Sequence, residues 1–170
     1  MISRTAEYAL RAVVHLAAAA DGDNPSRTVG QIAAATRVPE GYLAKVLQAL
    51  TRSGVITSQR GLGGGFRLAK TARDTSLYEV VQAVDPIQRI HDCPLGIDAH
   101  GRNLCRLHKR LDDAMSLIEE QFRATTVAEL LEETVPPGQA ASQEELCSFP
   151  FVSGRSAVPE AGRDHSLSQT

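Results

Sequence analysis

Apolar residues at Ala6, Leu10, Val13, Val14 and Ala17 fall on one face of a 3.6-residue repeat and predict a first helix over residues 3–20. The breaker run Asp21-Gly22-Asp23-Asn24-Pro25 closes it. Thr28 and, three positions on, Gln31 have the spacing of a capping box, in which each side chain satisfies the other residue's orphan backbone N–H. A short helix over residues 29–35 follows from it. After the turn Thr36-Arg37-Val38, Pro39 suits the first position of another helix, whose apolar stripe is Tyr42, Leu43, Val46, Leu47 and Leu50, ending before Gly54. Two helices joined in this way predict a helix-turn-helix.

The period then changes. Residues 55–58 read as a short strand, 60–65 as a glycine-rich turn and 66–68 as the returning strand, a hairpin placed where a wing would stand. Ser76 with Glu79 makes a second capping box, and Leu77, Val80, Val81 and Val84 define a helix stopped by Asp85-Pro86. Residues 87–103 show no periodicity, and a loop of that length holding Cys93, Pro94, Gly96, His100 and Gly101 invites a functional explanation. From Cys105 onward, Leu107, Leu111, Met115, Ile118 and Phe122 alternate steps of four and three, the 3.5-residue seam of paired helices. Asp112, Asp113, Glu119 and Glu120 lie mainly off that stripe, so a dimerisation helix is expected, with burial against the same chain as the alternative. Thr126 and Glu129 cap a short helix ending near Glu133, and the Pro-, Gly-, Ser- and Gln-rich remainder is expected to be a disordered tail. The expected fold is mainly α with a small β-hairpin wing. It divides into a winged helix-turn-helix domain (1–86), a sensor loop (87–104), a dimerisation helix with a short following helix (105–134) and a tail (135–170).

Composition sharpens this reading. A chain of 170 residues with 42% hydrophobic content supports one core plus appendages. The formal net charge of -2 conceals an asymmetry: up to Arg73 there are 10 Lys or Arg against 4 Asp or Glu, and afterwards 8 against 16. A basic first part points to a polyanionic partner. Nothing in the sequence approaches the roughly 18–20 uninterrupted apolar residues of a membrane span, and the start MISRTAEYALR lacks a signal-peptide layout, so no membrane association and a cytoplasmic location are expected. Three cysteines do not make a self-contained disulfide framework, which turns attention to metal or redox roles for Cys93 and Cys105.

A helix-turn-helix reads double-stranded DNA by placing the start of its second helix against base edges, while basic side chains and helix-end amides grip phosphates. The candidate contacts are Thr28, Glu40, Gly41, Tyr42, Lys45, Gln48, Arg52, Arg60 and Gly61. Gln48 can pair with adenine, Gly41 lets the backbone approach closely, and Arg60 beside glycines suits a narrow minor groove. The plainer readings are a half-buried Tyr42 closing the core, and Lys45 and Arg52 as solvated helix charges. The run from Gly61 to Gly65 is not a dinucleotide-binding loop, because a strand rather than a helix follows it. No nucleophile–base or paired-carboxylate motif supports an enzyme. A winged domain that binds proteins instead of DNA is the alternative from a different class.

The segments EYALRAVVHLA, TVGQIAAATRVPEGYLAKVLQAL and above all SQRGLGGGFRLAK resemble the Rrf2 family of bacterial regulators, over about residues 1–133. The resemblance implies homodimeric winged-helix transcription regulators, often carrying an iron-sulfur cluster in the loop before the dimerisation helix and often using three loop cysteines. Here Cys93 and Cys105 match the outer two, and Ala99 stands at the middle position. His108 matches the histidine ligand of the iron-sulfur assembly branch, and Glu7 matches a helix-one carboxylate that reaches across the dimer in the nitric-oxide-sensing branch. His100 lies one position beyond the missing cysteine. Arg11 occupies the place of a helix-one histidine used by a redox-sensing relative. Two thiolates with nitrogen or oxygen donors suffice for a two-iron, two-sulfide cluster and equally for zinc. A redox-active cluster on Cys93, Cys105, His108 and either His100 or Glu7 is the expected sensor. A Cys93–Cys105 disulfide, or a regulator without a cluster that senses a small ligand, stays open.

Overall fold

A computed structural model describes residues 2–20, 26–61, 63–93 and 104–134. The elements run in the order α1 (Arg4–Ala18), α2 (Val29–Thr36), α3 (Glu40–Arg52), β1 (Ile56–Gln59), β2 (Gly65–Leu68), a 3-10 turn (Ala72–Asp74), α4 (Leu77–Val84), α5 (Arg106–Ala124) and α6 (Val127–Thr134). The expected elements are present, with ends displaced by a residue or two. Pro39 stands outside α3 as its N-cap and not at the first helical position, so the helix begins at Glu40 without a side-chain cap.

Helix α1 is the centre of the fold. The sequence stripe marks one face, yet Ala6, Ala9, Ala12, Val13, Val14, Leu16 and Ala17 are all buried. The reason is tertiary: α1 packs against α2, α3, α4, α6 and β2 at once, so small alanines face neighbours on sides that periodicity alone leaves unassigned. Around it gather Ile32 of α2, Leu43, Val46, Leu47 and Leu50 of α3, Ile56 of β1, Leu77 and Val80 of α4 and Val127 of α6.

The predicted caps form. The Thr28 hydroxyl accepts from the Gln31 amide while Gln31 accepts from the Thr28 amide, and Ser76 and Glu79 do the same at α4. Thr126 and Glu129 repeat the exchange at α6. The last two caps lie side by side, because the Leu77 amide donates to the Thr125 carbonyl at 3.0 Å and the Val127 amide to the Thr75 carbonyl at 2.9 Å. That bridge fastens α6 onto the winged domain.

Strands β1 and β2 pair antiparallel, Ile56 opposite Leu68 and Gln59 opposite Gly65. An unforeseen third segment joins them: Arg27 and Phe66 exchange backbone hydrogen bonds of 3.0 and 2.8 Å. This contact accounts for a glycine. A Cβ on Gly65 would stand 2.6 Å from the Arg27 carbonyl oxygen, and one on Gly64 would stand 2.4 Å from that of Gln59. Backbone cannot yield to such atoms, so the glycines permit the wing to fold against its neighbours.

His15 is buried at the end of α1, and its Nε2 has no hydrogen-bond partner among the described residues. Burial, reinforced by the Arg27 charge, pushes its pKa below the ordinary histidine value. The unfolded chain therefore takes up a proton at about pH 6.5 that the folded chain refuses, so stability is full above that pH and falls below it. Urea midpoints measured between about pH 7.5 and pH 5.5 are expected to fall more for the native chain than for His15→Leu. Equal slopes would mean that His15 does not drive the loss.

Candidate functional site

Helices α2 and α3 are joined by a turn in which Arg37 adopts the left-handed conformation, φ 56°. The buried face of α3 seats it in the core and leaves Glu40, Gly41, Tyr42, Lys45, Gln48 and Arg52 exposed on the other side. Thr28 is also exposed, at the start of α2, with its hydroxyl committed to the cap. A Cβ added to Gly41 would meet nothing within 4 Å among the described residues, so the α3 backbone is bare at this point. Tyr42 combines both sequence readings. Its ring meets Tyr8 edge-on at 5.5 Å and its hydroxyl meets that of Thr5, while 41% of the residue remains exposed.

On the wing, Arg60 and Gly61 are exposed at the turn, and Gly61 adopts φ 102°, a conformation that side chains disfavour. Arg67 of β2 points outward beside Thr57 of β1, with its Nε 3.4 Å from the Thr57 hydroxyl. Sequence reading missed Arg37 and Arg67 as exposed cations of the helix turn and hairpin. Only the alternation of β2 could have indicated Arg67.

The second cluster lies at the start of α5. Cys105 is the N-cap of that helix and makes no capping bond with its sulfur. Three residues on, one helical turn brings His108 beneath it, Nδ1 to Sγ 3.1 Å. The Cys93 sulfur approaches the same nitrogen at 3.6 Å. Both cysteines are thiols and half-buried, and the three donor atoms all lie within 4.8 Å of one another. Ligands with this chemistry and spacing can hold a thiophilic metal ion.

The segment that leads to Cys93 is tied to α5 by an ion pair that the sequence did not reveal. Arg89 grips Asp112 through two hydrogen bonds of 2.7 Å, and the Ile90 amide donates to the same carboxylate at 2.9 Å. Glu119 adds a longer contact to Arg89 at 3.5 Å. The Arg89 guanidinium, helped by the Ile90 amide, holds the Asp112 carboxyl well below the usual carboxylate range. Farther along, Arg123 stacks over the Tyr78 ring at 3.5 Å and binds Glu119, fastening α5 to α4.

The other nominated ligands are Glu7 and His100. Glu7 stands apart from the trio and pairs with Arg11 at 2.6 Å, and Arg11 reaches on to the Thr36 carbonyl. His100, Ala99, Cys147 and the tail from residue 135 lie outside the described residues.

The seam of α5 is largely uncovered. Leu107 is 63% exposed, Leu111 46% and Ile118 48%, and Leu117 beside them 63%. Met115, Ile118 and Phe122 line a hollow of about 420 Å³ with Ile2, Val81 and Ile87. No helix among the described residues is long and apolar enough to cross a membrane.

A helix-turn-helix followed by a hairpin wing defines a winged-helix domain, and comparison with known proteins carries this further. A family profile described as Rrf2, "Iron-dependent Transcriptional regulator", matches residues 2–133, and the chain belongs to that family. An HTH-type transcriptional regulator of Aquifex aeolicus is 29% identical over 136 residues, covering 77% of this chain and 91% of the relative. Among solved structures, CymR, the global cysteine regulator of B. subtilis, superposes with a TM-score of 0.64 at 20% identity, over 79% of this chain and 98% of CymR. IscR of T. potens gives 0.64 at 21%, over 84% of this chain and 93% of IscR. These homologues and fold neighbours are transcription regulators, not enzymes.

Proposed function

We propose that the protein is a homodimeric, sequence-specific DNA-binding regulator whose affinity for its operator is set by metal or redox chemistry at Cys93, Cys105 and His108. One observation carries the DNA reading: the apolar stripe of α3 is buried while Glu40, Gly41, Tyr42, Lys45, Gln48 and Arg52 are presented outward beside a basic wing. Lys45, Arg52, Arg60 and the unforeseen Arg67 supply phosphate or groove contacts, and Gln48 with Glu40 supplies base-edge chemistry. Dimerisation is supported by the uncovered α5 seam, because a row of leucines and isoleucine left in water is costly until another helix covers it.

The sensor reading rests on the convergence of two thiols and an imidazole at the start of that same helix. Metal responsiveness is supported by the family's description as iron-dependent. A change at Cys105 and His108 acts on the start of α5, a helix whose far end is fixed to α4 through Arg123 and Tyr78 and through α4 to the winged domain. The proposed switch is therefore a shift of α5 that alters the spacing of the two recognition helices.

Arg60→Ala is expected to weaken operator binding about 5- to 100-fold and to lower the slope of log affinity against log salt by about one. Titrations of a selected DNA sequence across a salt series would measure both. Undiminished binding would remove Arg60 from the interface, and a native chain with no preference among DNA sequences would favour a protein-binding role.

A further inference from the structure

We infer that the Cys93–Cys105–His108 site of a single chain is built for one tetrahedral metal ion of the zinc(II) class and not for a two-iron cluster. The inference names the ion for the site proposed above, and it rests on that reading for the site's role in regulation. Its ground is the separation of the donors. Around one ion with metal–sulfur bonds near 2.3 Å and metal–nitrogen bonds near 2.0 Å, tetrahedral angles put two sulfurs about 3.8 Å apart and sulfur and nitrogen about 3.5 Å apart. The observed sulfur–nitrogen distances are 3.1 and 3.6 Å, and every pair lies within 4.8 Å. Closing on an ion requires shifts of only a few tenths of an ångström at those contacts.

A two-iron cluster makes a different demand. Its irons are held apart by bridging sulfides, and the terminal donors of one iron point away from those of the other, so donors on different irons stand about 5 Å or more apart. Three donors shared between two irons must include at least one such pair. Here there is none. Among the described residues of the same chain nothing supplies the missing span, since Glu7 is held by Arg11, and Ala99 stands where a middle cysteine would be. Two thiolates and an imidazole are a sufficient protein set for zinc, whose fourth position is taken by water or by a donor from outside the trio.

Binding involves no change of oxidation state. Each thiol loses one proton to solvent as its sulfur bonds the metal, and the imidazole donates the lone pair of Nδ1. His108 must therefore carry its remaining proton on Nε2.

The test uses the full chain, purified reduced and without oxygen, titrated with cobalt(II) and then with zinc(II). The expected result is one cobalt per chain, with visible bands of tetrahedral intensity and thiolate charge-transfer bands in the ultraviolet. One equivalent of zinc should displace it. Cys93→Ala and Cys105→Ala should each abolish the charge-transfer bands or weaken binding at least 100-fold. His108→Ala should weaken it at least tenfold, and His108→Cys should restore tetrahedral binding with stronger charge transfer. Circular dichroism on each variant excludes simple unfolding. Reconstitution with ferrous iron and sulfide that gives two irons and two sulfides per chain on these same residues would overturn the inference. So would weak octahedral cobalt bands, or a Cys93–Cys105 disulfide formed by a mild oxidant in a chain that binds no cobalt. Selection of preferred sequences from random duplexes, run on the same samples, separates the two claims. Tetrahedral binding without any DNA preference would sink the regulator reading alone, and DNA preference without tetrahedral binding would sink the metal inference alone.

Discussion

Leu47→Ala is expected to lower the free energy of unfolding by about 2–5 kcal/mol, the range for truncating a fully buried leucine whose cavity does not collapse. Leu47 has no exposed surface and sits midway along α3, between Leu43 and Leu50 on the same buried stripe. That stripe seats the helix on α1, and the seat fixes where the opposite face presents Lys45 and Gln48. Urea unfolding should show a lower midpoint with an unchanged slope. DNA affinity should suffer less than stability where the chain remains folded, because Leu47 itself touches no ligand. A loss below about 1 kcal/mol would mean that the site repacks freely and that α3 is not held as described.

Asp112→Ala is expected to weaken the proposed metal binding at the cysteine–histidine site about 10- to 100-fold, although Asp112 is not one of the proposed ligands. Its carboxylate receives both arms of the Arg89 guanidinium and the Ile90 amide, and Cys93 follows three residues after Ile90. Without that anchor, Cys105 and His108 stay together on α5 and Cys93 loses one tether. Asp112→Asn keeps an acceptor for the Ile90 amide but surrenders the charge, so it should fall between the native chain and the alanine variant. Asp113→Ala, which removes only an exposed pair with Lys109, is the control and should bind metal normally. Cobalt titration in competition with a chelator measures all three. If Asp112→Ala binds as tightly as the native chain, other contacts position Cys93.

The local signals survived into the structure because they describe interactions between residues close in sequence. The capping boxes at Thr28, Ser76 and Thr126 each need only residues three apart, and each is present as read. The α3 stripe and the wing's glycines were legible for the same reason. The pairing of Cys105 with His108 is also local, a single helical turn.

Amino-acid order by itself thus determined the sequence of helices and strands, the turn chemistry of the wing and the one-turn spacing of Cys105 and His108. Only the tertiary structure decided which of those groups meet. It buried α1 on several sides, because five elements pack against it, where periodicity assigned one stripe. It added Arg27 to the sheet beside Phe66 and thereby explained Gly65. It bound Glu7 to Arg11, and it joined Arg89 to Asp112, 23 residues away, to bring Cys93 against Cys105 and His108. A lone arginine and a lone aspartate carry no periodicity and no motif. Their partnership exists only once α4, the segment after it and α5 have packed, since packing alone brings distant side chains within the few ångströms over which charge, hydrogen bonds and metal ligation act.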